Sequence, residues 1–234
     1  MVHSGQKTPV VFADRRDAGR RLALRLSALV SERPLVVALP RGGVPVGYEV
    51  ARALGAPLEV LAVRKLGAPG NPELAMGAIA EHGSAALDAP TARRVGITQD
   101  MLDTARQREL AELHRRVERY RVGRAPLDVR GRTVIMVDDG LATGFTALAA
   151  VRSLRAAGAA RIVVAVPVGA RESLALVGAE ADEVVCETVP PDLLAVGYWY
   201  SDFSPVSDDE VLALLRAASS ELAAGTPAAG AQPT

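Results

Sequence analysis

The sequence predicts an α/β fold, a doubly wound and mostly parallel sheet carrying a small hood or lid. Short aliphatic, β-branched runs recur at 35–39, 58–63, 134–137, 162–166 and 183–187. Each is too short for a helix and reads as a strand buried on both faces. Segments of helical composition alternate with these runs, so successive strands run parallel through crossover helices. Glycine-bearing loops follow two of the strands, at 40–43 and 138–146, and both therefore lie at the same edge of the sheet.

A chain of 234 residues suits one domain, here 1–222 with its hood and mobile loop, while 223–234, rich in Ala, Gly, Pro and Thr, reads as a disordered tail. Apolar residues make up 49% but aromatics only 3%, so aliphatic side chains and alanine must fill the core. The 27 basic and 27 acidic residues balance, which argues against a general affinity for nucleic acid or an anionic membrane. The single cysteine, Cys186, sits in an apolar run and reads as a buried structural thiol, with no disulfide framework. No run approaches membrane-spanning length and the N-terminus lacks an apolar leader segment, so a cytosolic (cytoplasmic) location is expected.

Taken in order, Asp14 is placed to cap an amphipathic helix over 15–29, with Leu22, Leu26 and Leu29 on one side and an Arg-rich face in solvent. Strand 35–39 runs into Pro40-Arg41-Gly42-Gly43, and a helix follows from about 44 to 54, closed by Gly55. An arginine between a proline and two glycines can hold its guanidinium against an anion, and the turn exposes backbone N–H groups beside it. Strand 58–63 ends in Arg64-Lys65, two cations aimed at the crevice where open α/β sheets bind ligands.

Residues 66–73 are dense in Gly and Pro and read as a loop. Residues 75–88 read as a small hairpin turning at His82-Gly83, with His82 on the surface. Thr98 is placed to cap a long charged helix over 101–122, apolar at Leu102, Leu110, Leu113 and Val117. Its charge suits an exposed lid or an oligomer surface, such as that of a homodimer, with His114 solvated. Farther on, the helix after the central motif stops at Gly158, a short helix covers 172–176, and a last helix covers 208–222. The aromatics of 197–203 either stack on a planar base or, the plainer reading, anchor that last helix.

The chemistry centres on Val134-Ile135-Met136-Val137-Asp138-Asp139-Gly140-Leu141-Ala142-Thr143-Gly144-Phe145-Thr146. Two adjacent carboxylates at the edge of a core are costly unless cations or hydroxyls meet them. The small-residue loop beyond them opens into a helix, whose N-terminus offers unpaired N–H groups and a positive dipole end to a phosphate. Thr143 and Thr146 add hydroxyls. Carboxylates beside a phosphate cradle suit a sugar phosphate. The spacing excludes a Walker loop, because Phe145 stands where the lysine is needed, and it excludes a G-x-G-x-x-G turn.

This motif resembles the phosphoribosyl-diphosphate (PRPP) motif of the type I phosphoribosyltransferases, and Leu141-Ala142-Thr143-Gly144 is most similar to adenine and uracil members. Phe145 departs from the smaller residue usual there. The resemblance implies that Asp138 and Asp139 orient the ribose, and meet Mg²⁺ through PRPP and water. It implies that Ala142, Thr143, Gly144, Phe145 and Thr146 hold the 5′-phosphate, and that Arg41, Gly42, Gly43, Arg64 and Lys65 meet the pyrophosphate. The implied activity is transfer of ribose 5-phosphate from PRPP to a small nitrogenous base, with pyrophosphate released and Asp138, Asp139, Arg41 and Lys65 central to it. In hypoxanthine-guanine relatives an aspartate stands where this chain has Ala142, and Asp202 in the hood is the nearest substitute acid. A non-catalytic PRPP or nucleotide sensor of the same fold, and more remotely a phosphatase or other nucleotide-binding domain, are the alternative readings.

Overall fold

The computed structural model describes residues 11–68, 71–88, 90, 93, 98–122 and 127–225. Its centre is a five-stranded parallel sheet of β1 (Leu35–Ala38), β2 (Leu58–Val60), β6 (Thr133–Val137), β7 (Arg161–Val168) and β8 (Glu183–Thr188). The strand order is β2-β1-β6-β7-β8. Alternation along each strand sends side chains to two separate cores. Val36, Ala38, Ile135 and Val137 pack on one face with α1 (Arg15–Arg25), α2 (Gly43–Leu54) and α6 (Asp208–Gly225). Leu35, Val37, Val134 and Met136 pack on the other with α4 (Phe145–Ala156). The sheet is covered on both faces, as its near-continuous apolar strands require.

The second sheet is antiparallel: β3 (Val63–Ala68), β4 (Asn71–Ala80) and β5 (Ala85–Leu87), in that order. It corrects two expectations. The apolar run 58–63 is not one strand, because the chain leaves the main sheet after Val60 and crosses through buried Leu61 and Ala62 into β3. Burial continues across the crossing, so hydropathy carries no mark of the break. The Gly- and Pro-dense stretch 66–73 is largely paired strand, with register shifts at Leu66, Gly67 and Ala68 absorbing the irregularity; Pro69 and Gly70 lie outside the described residues. The turn at His82-Gly83 is where the sequence puts it.

Against this small sheet lies α3 (Gln99–Tyr120), capped by Thr98, whose Oγ1 accepts from Met101 N at 3.3 Å. Leu113 is fully buried with Ala62, Leu66 and Ile79, and Leu110 and Val117 border them. Helix α1 is shorter than its apolar pattern suggests: capped by Asp14, it ends at Arg25, and Ser27–Glu32 continue as a 3-10 helix that keeps Leu29 buried. Helix α5 (Arg171–Gly178) joins β7 to β8. Helix α6 runs past 222 to Gly225, and the rest of the proposed tail lies outside the described residues. Among the described residues, no helix is long and apolar enough to cross a membrane.

Leu113 is the anchor between α3 and the small sheet. Leu113→Ala is expected to cost about 2–5 kcal/mol, the range for emptying a leucine site in a packed core. Urea unfolding followed by amide exchange should show the loss, first in β3–β5 and α3 and last in β7.

Candidate active site

The site forms where β6 ends. Asp138 and Asp139 follow Val137, and their loop is pinned to the neighbouring strand: Leu141 N donates to Val168 O, and Ala170 N to Leu141 O, both at 2.9 Å. Ser173, in the first turn of α5, donates its hydroxyl to Ala142 O at 2.5 Å. Gly144 then turns the chain with φ +79°, a left-handed conformation that suits glycine, into α4. Leu148 N closes the first helical turn on Gly144 O at 2.8 Å. The N–H groups before it have no partner within the helix and form the anion-binding end.

Ala142 and Thr143 are exposed on this loop, and Gly144 is buried. Thr146 lines the crevice. The half-buried Phe145 ring packs against the apolar layer under α4, and Phe145 is absent from the crevice lining. The ring is thus accommodated without filling the crevice.

The loop Pro40–Gly43 packs directly onto the carboxylates. A Cβ on Gly42 would overlap Asp139 Oδ2, and one on Gly43 would lie 2.7 Å from Val137 O. Only glycine permits that approach. Arg41 stands exposed at the loop's tip, after a cis peptide bond from Pro40. Its charge reaches Asp208, which is held below the usual carboxylate range first by the Tyr120 hydroxyl at 2.5 Å, then by Arg119 and Arg41.

The two cations of β3 part company, because successive strand residues face opposite ways. Lys65 is exposed, lines the crevice and acts on Asp138. Arg64 turns to α3, pairing with Glu109 at 2.7 Å and Glu112 at 3.4 Å. The crevice, about 340 Å³, is bounded by Pro40, Lys65, Asp138, Asp139, the 140–144 loop and Val196.

Three further contributors were not assigned to the acidic pair and its loop from the sequence, although Tyr200 belongs to the aromatic cluster noted there. Arg15, read there as one of a solvated arginine face, donates Nε to Asp139 Oδ2 at 2.8 Å. Tyr200 donates its hydroxyl to Asp139 O at 2.6 Å. Ser173 steadies Ala142 as described. The aromatic cluster anchors a different segment from the one expected: Tyr200 and Phe203 pack with Phe12 and Ala18, near the N-terminus. Tyr198 is exposed. Asp202 is held below the usual carboxylate range by hydrogen bonds from the Ser204 hydroxyl and backbone, which makes it a poor proton donor.

The chain matches the family model for the phosphoribosyl transferase domain over residues 14–198. It belongs to the phosphoribosyl transferase family. This family member is 48% identical over 224 residues to a Mycobacterium tuberculosis H37Rv protein provisionally named a phosphoribosyl transferase. That alignment covers 95% of the chain and 51% of the relative, so the chain spans about half the length of the curated relatives it matches. It is 34% identical over 172 residues to the adenine phosphoribosyltransferase of Rhodococcus jostii RHA1, covering 71% of the chain and 76% of that enzyme. The crystal structure of TT1426 from Thermus thermophilus superposes with TM-score 0.75 at 46% identity, covering 88% of the chain and 97% of that protein.

Burial, then the neighbouring Asp139 charge, raises the Asp138 pKa well above its ordinary 3.8; Arg15 and Lys65 oppose the shift. Asp139 is also raised by burial, against the pull of Arg15. A carboxyl with a raised pKa binds protons in the folded chain that the unfolded chain has released, so stability falls as pH rises above 3.8. Asp138→Asn removes that cost while keeping an acceptor for the Asp139 N–H. Near neutrality the variant should be more stable by about 0.5–2 kcal/mol, the usual gain from relieving a functional site. The difference should close below the ordinary aspartate value, as measured by urea unfolding across pH.

Proposed function

We propose that the protein transfers the ribose 5-phosphate group of PRPP to a nitrogenous base and releases pyrophosphate. The observation that carries this reading is the packing of loop 40–43 against the Asp138-Asp139 pair, with Gly42 in contact with the Asp139 carboxylate. A sugar site and a pyrophosphate loop in direct contact match the two ends of one ligand. Asp138 and Asp139 accept from the ribose hydroxyls, and the start of α4 with Thr143 and Thr146 holds the 5′-phosphate. Lys65 and Arg41 meet the pyrophosphate. Arg64, held by α3, takes no part.

In the reaction, the base nitrogen forms a bond to C1 of the ribose as the C1–O bond to pyrophosphate breaks. Positive charge grows on the sugar and negative charge on the leaving group, which Lys65, in the crevice, and Arg41, on the loop above it, would offset. The donor set suits Mg²⁺ held largely by ligand oxygens and water: the described residues contain no cluster of three or more His, Cys, Asp or Glu, and the Asp pair offers one or two carboxylates. Mg²⁺, when bound, would add charge neutralisation at the phosphates.

Incubation with Mg²⁺, PRPP and a panel of bases should release pyrophosphate with at least one base. Asp138→Asn combined with Asp139→Asn should abolish both release and PRPP binding by calorimetry, since hydrogen bonds to charged groups contribute about 1.5–3 kcal/mol each. PRPP binding without release in every arm would leave a sensor, not an enzyme.

The acceptor should lack a 6-oxo group. Ala142 offers no side-chain acid, Asp202 is tied to Ser204, and the Rhodococcus relative is named for adenine. General acid–base help contributes roughly 10²–10⁴-fold in rate. Steady-state assays should therefore favour adenine over hypoxanthine and guanine by a factor within that range.

A further inference from the structure

Arg15 joins three parts of the chain that are far apart in sequence. Besides its bond to Asp139, it donates Nη1 to Ser204 O at 2.8 Å, and its Cζ lies 3.8 Å from the centre of the Phe203 ring. Its side chain is 10% exposed; the contact with Asp139 is partly buried, while the one with Ser204 lies at the surface. The hood segment that it grips is held from the other side by the N-terminal segment. Phe12 N donates to Trp199 O, Ser201 N to Phe12 O, and Asp202 N to Ala13 O, at 2.8, 2.8 and 2.9 Å. Tyr200 lies between, with its ring on Phe12 and its hydroxyl on Asp139 O. Val196, which lines the crevice, packs into the same aromatic cluster. The hood thus reaches the site at Val196 and is fastened to the acidic pair at Arg15.

We propose that Arg15 is a positioning residue that ties the hood to the ribose-binding carboxylate, so that fixing Asp139 and fixing segment 199–204 are one event. This rests on the reading of the crevice as a PRPP site. A ligand that orders Asp139 then orders the hood before an acceptor arrives. Phe203, which does not line the crevice, reaches Asp139 through the guanidinium on its face and through the Tyr200 ring beside it. An arginine that served stability alone would leave the hood indifferent to what occupies the crevice.

Amide exchange at Ser201 and Asp202 reads the coupling directly. In the ligand-free protein, Asp139→Asn and Arg15→Lys should each speed exchange about tenfold, the scale set by losing a charge-assisted bond in a locally opening segment. The double variant should be no faster than either single one. With PRPP, the wild type should slow at these amides. Arg15→Lys, which keeps the charge without the planar fork, should still bind PRPP by calorimetry and show no such slowing. Unchanged exchange in Asp139→Asn, or additive effects in the double variant, would overturn the proposal. Should the wild type bind no PRPP while the ligand-free cycle is non-additive, the functional reading falls and the tie through Arg15 stands. If Arg15→Lys does not fold, Phe203→Leu supplies the second arm of the cycle, with the same expected non-additivity.

Discussion

Two carboxylates on adjacent residues at the end of a fully buried strand set the terms for the surrounding structure. Burial drives both toward the neutral form, and the Asp139 charge pushes Asp138 further the same way. The fold answers from three directions and adds burial from a fourth. Arg15 arrives from the first helix, Lys65 from the second sheet, the Asp139 N–H folds back onto Asp138 Oδ1 at 2.9 Å, and a glycine loop closes over the Asp139 carboxylate. None of these groups is local to β6 except the N–H. The pair is therefore a product of the whole tertiary arrangement, and it keeps part of its electrostatic cost. That residual cost leaves both carboxylates able to gain from a further hydrogen-bond donor.

The parallel sheet was legible because β1, β6 and β7 are buried on both faces; β8, expected to be the same, is an edge strand and only half-buried. β6 and β7 read as plain aliphatic runs, with Asp138-Asp139 and Gly144 marking the one place where the run meets chemistry. The cap residues Asp14 and Thr98 were legible for a different reason, since a side chain that accepts from a backbone N–H within the same turn is a purely local event. What could not be read was long-range. Arg15 lies 124 positions from its partner Asp139, and nothing in an arginine-rich helix distinguishes the one that turns inward. The crossing at Leu61-Ala62 was hidden because apolar residues fill both sheets alike. Strand alternation could have separated Lys65 from Arg64, had β3 been recognised as a strand.

The aromatic residues show how few such side chains the fold needs. With aliphatic and alanine packing filling both main cores, the rings of Phe12, Tyr200 and Phe203 form their own cluster at the rim. Its position beside Asp139 gives the hood a firm attachment at the one edge where the sheet is open to ligand. The clustering noted in the sequence was informative, although the partner proved to be the N-terminal segment and not α6.

The crossing between sheets has a further consequence for how such a site diversifies. Asp138 is carried by the central sheet, and Lys65 by a second sheet that shares one core with the central sheet and has a small core of its own, around Leu66, Ile79 and Leu113, on the side facing α3. Changes in that satellite core can re-aim the cation without disturbing the strand that presents the carboxylates. The position of the cation and that of the carboxylates thereby depend on partly different sets of residues. A lineage can retune one while inheriting the other intact.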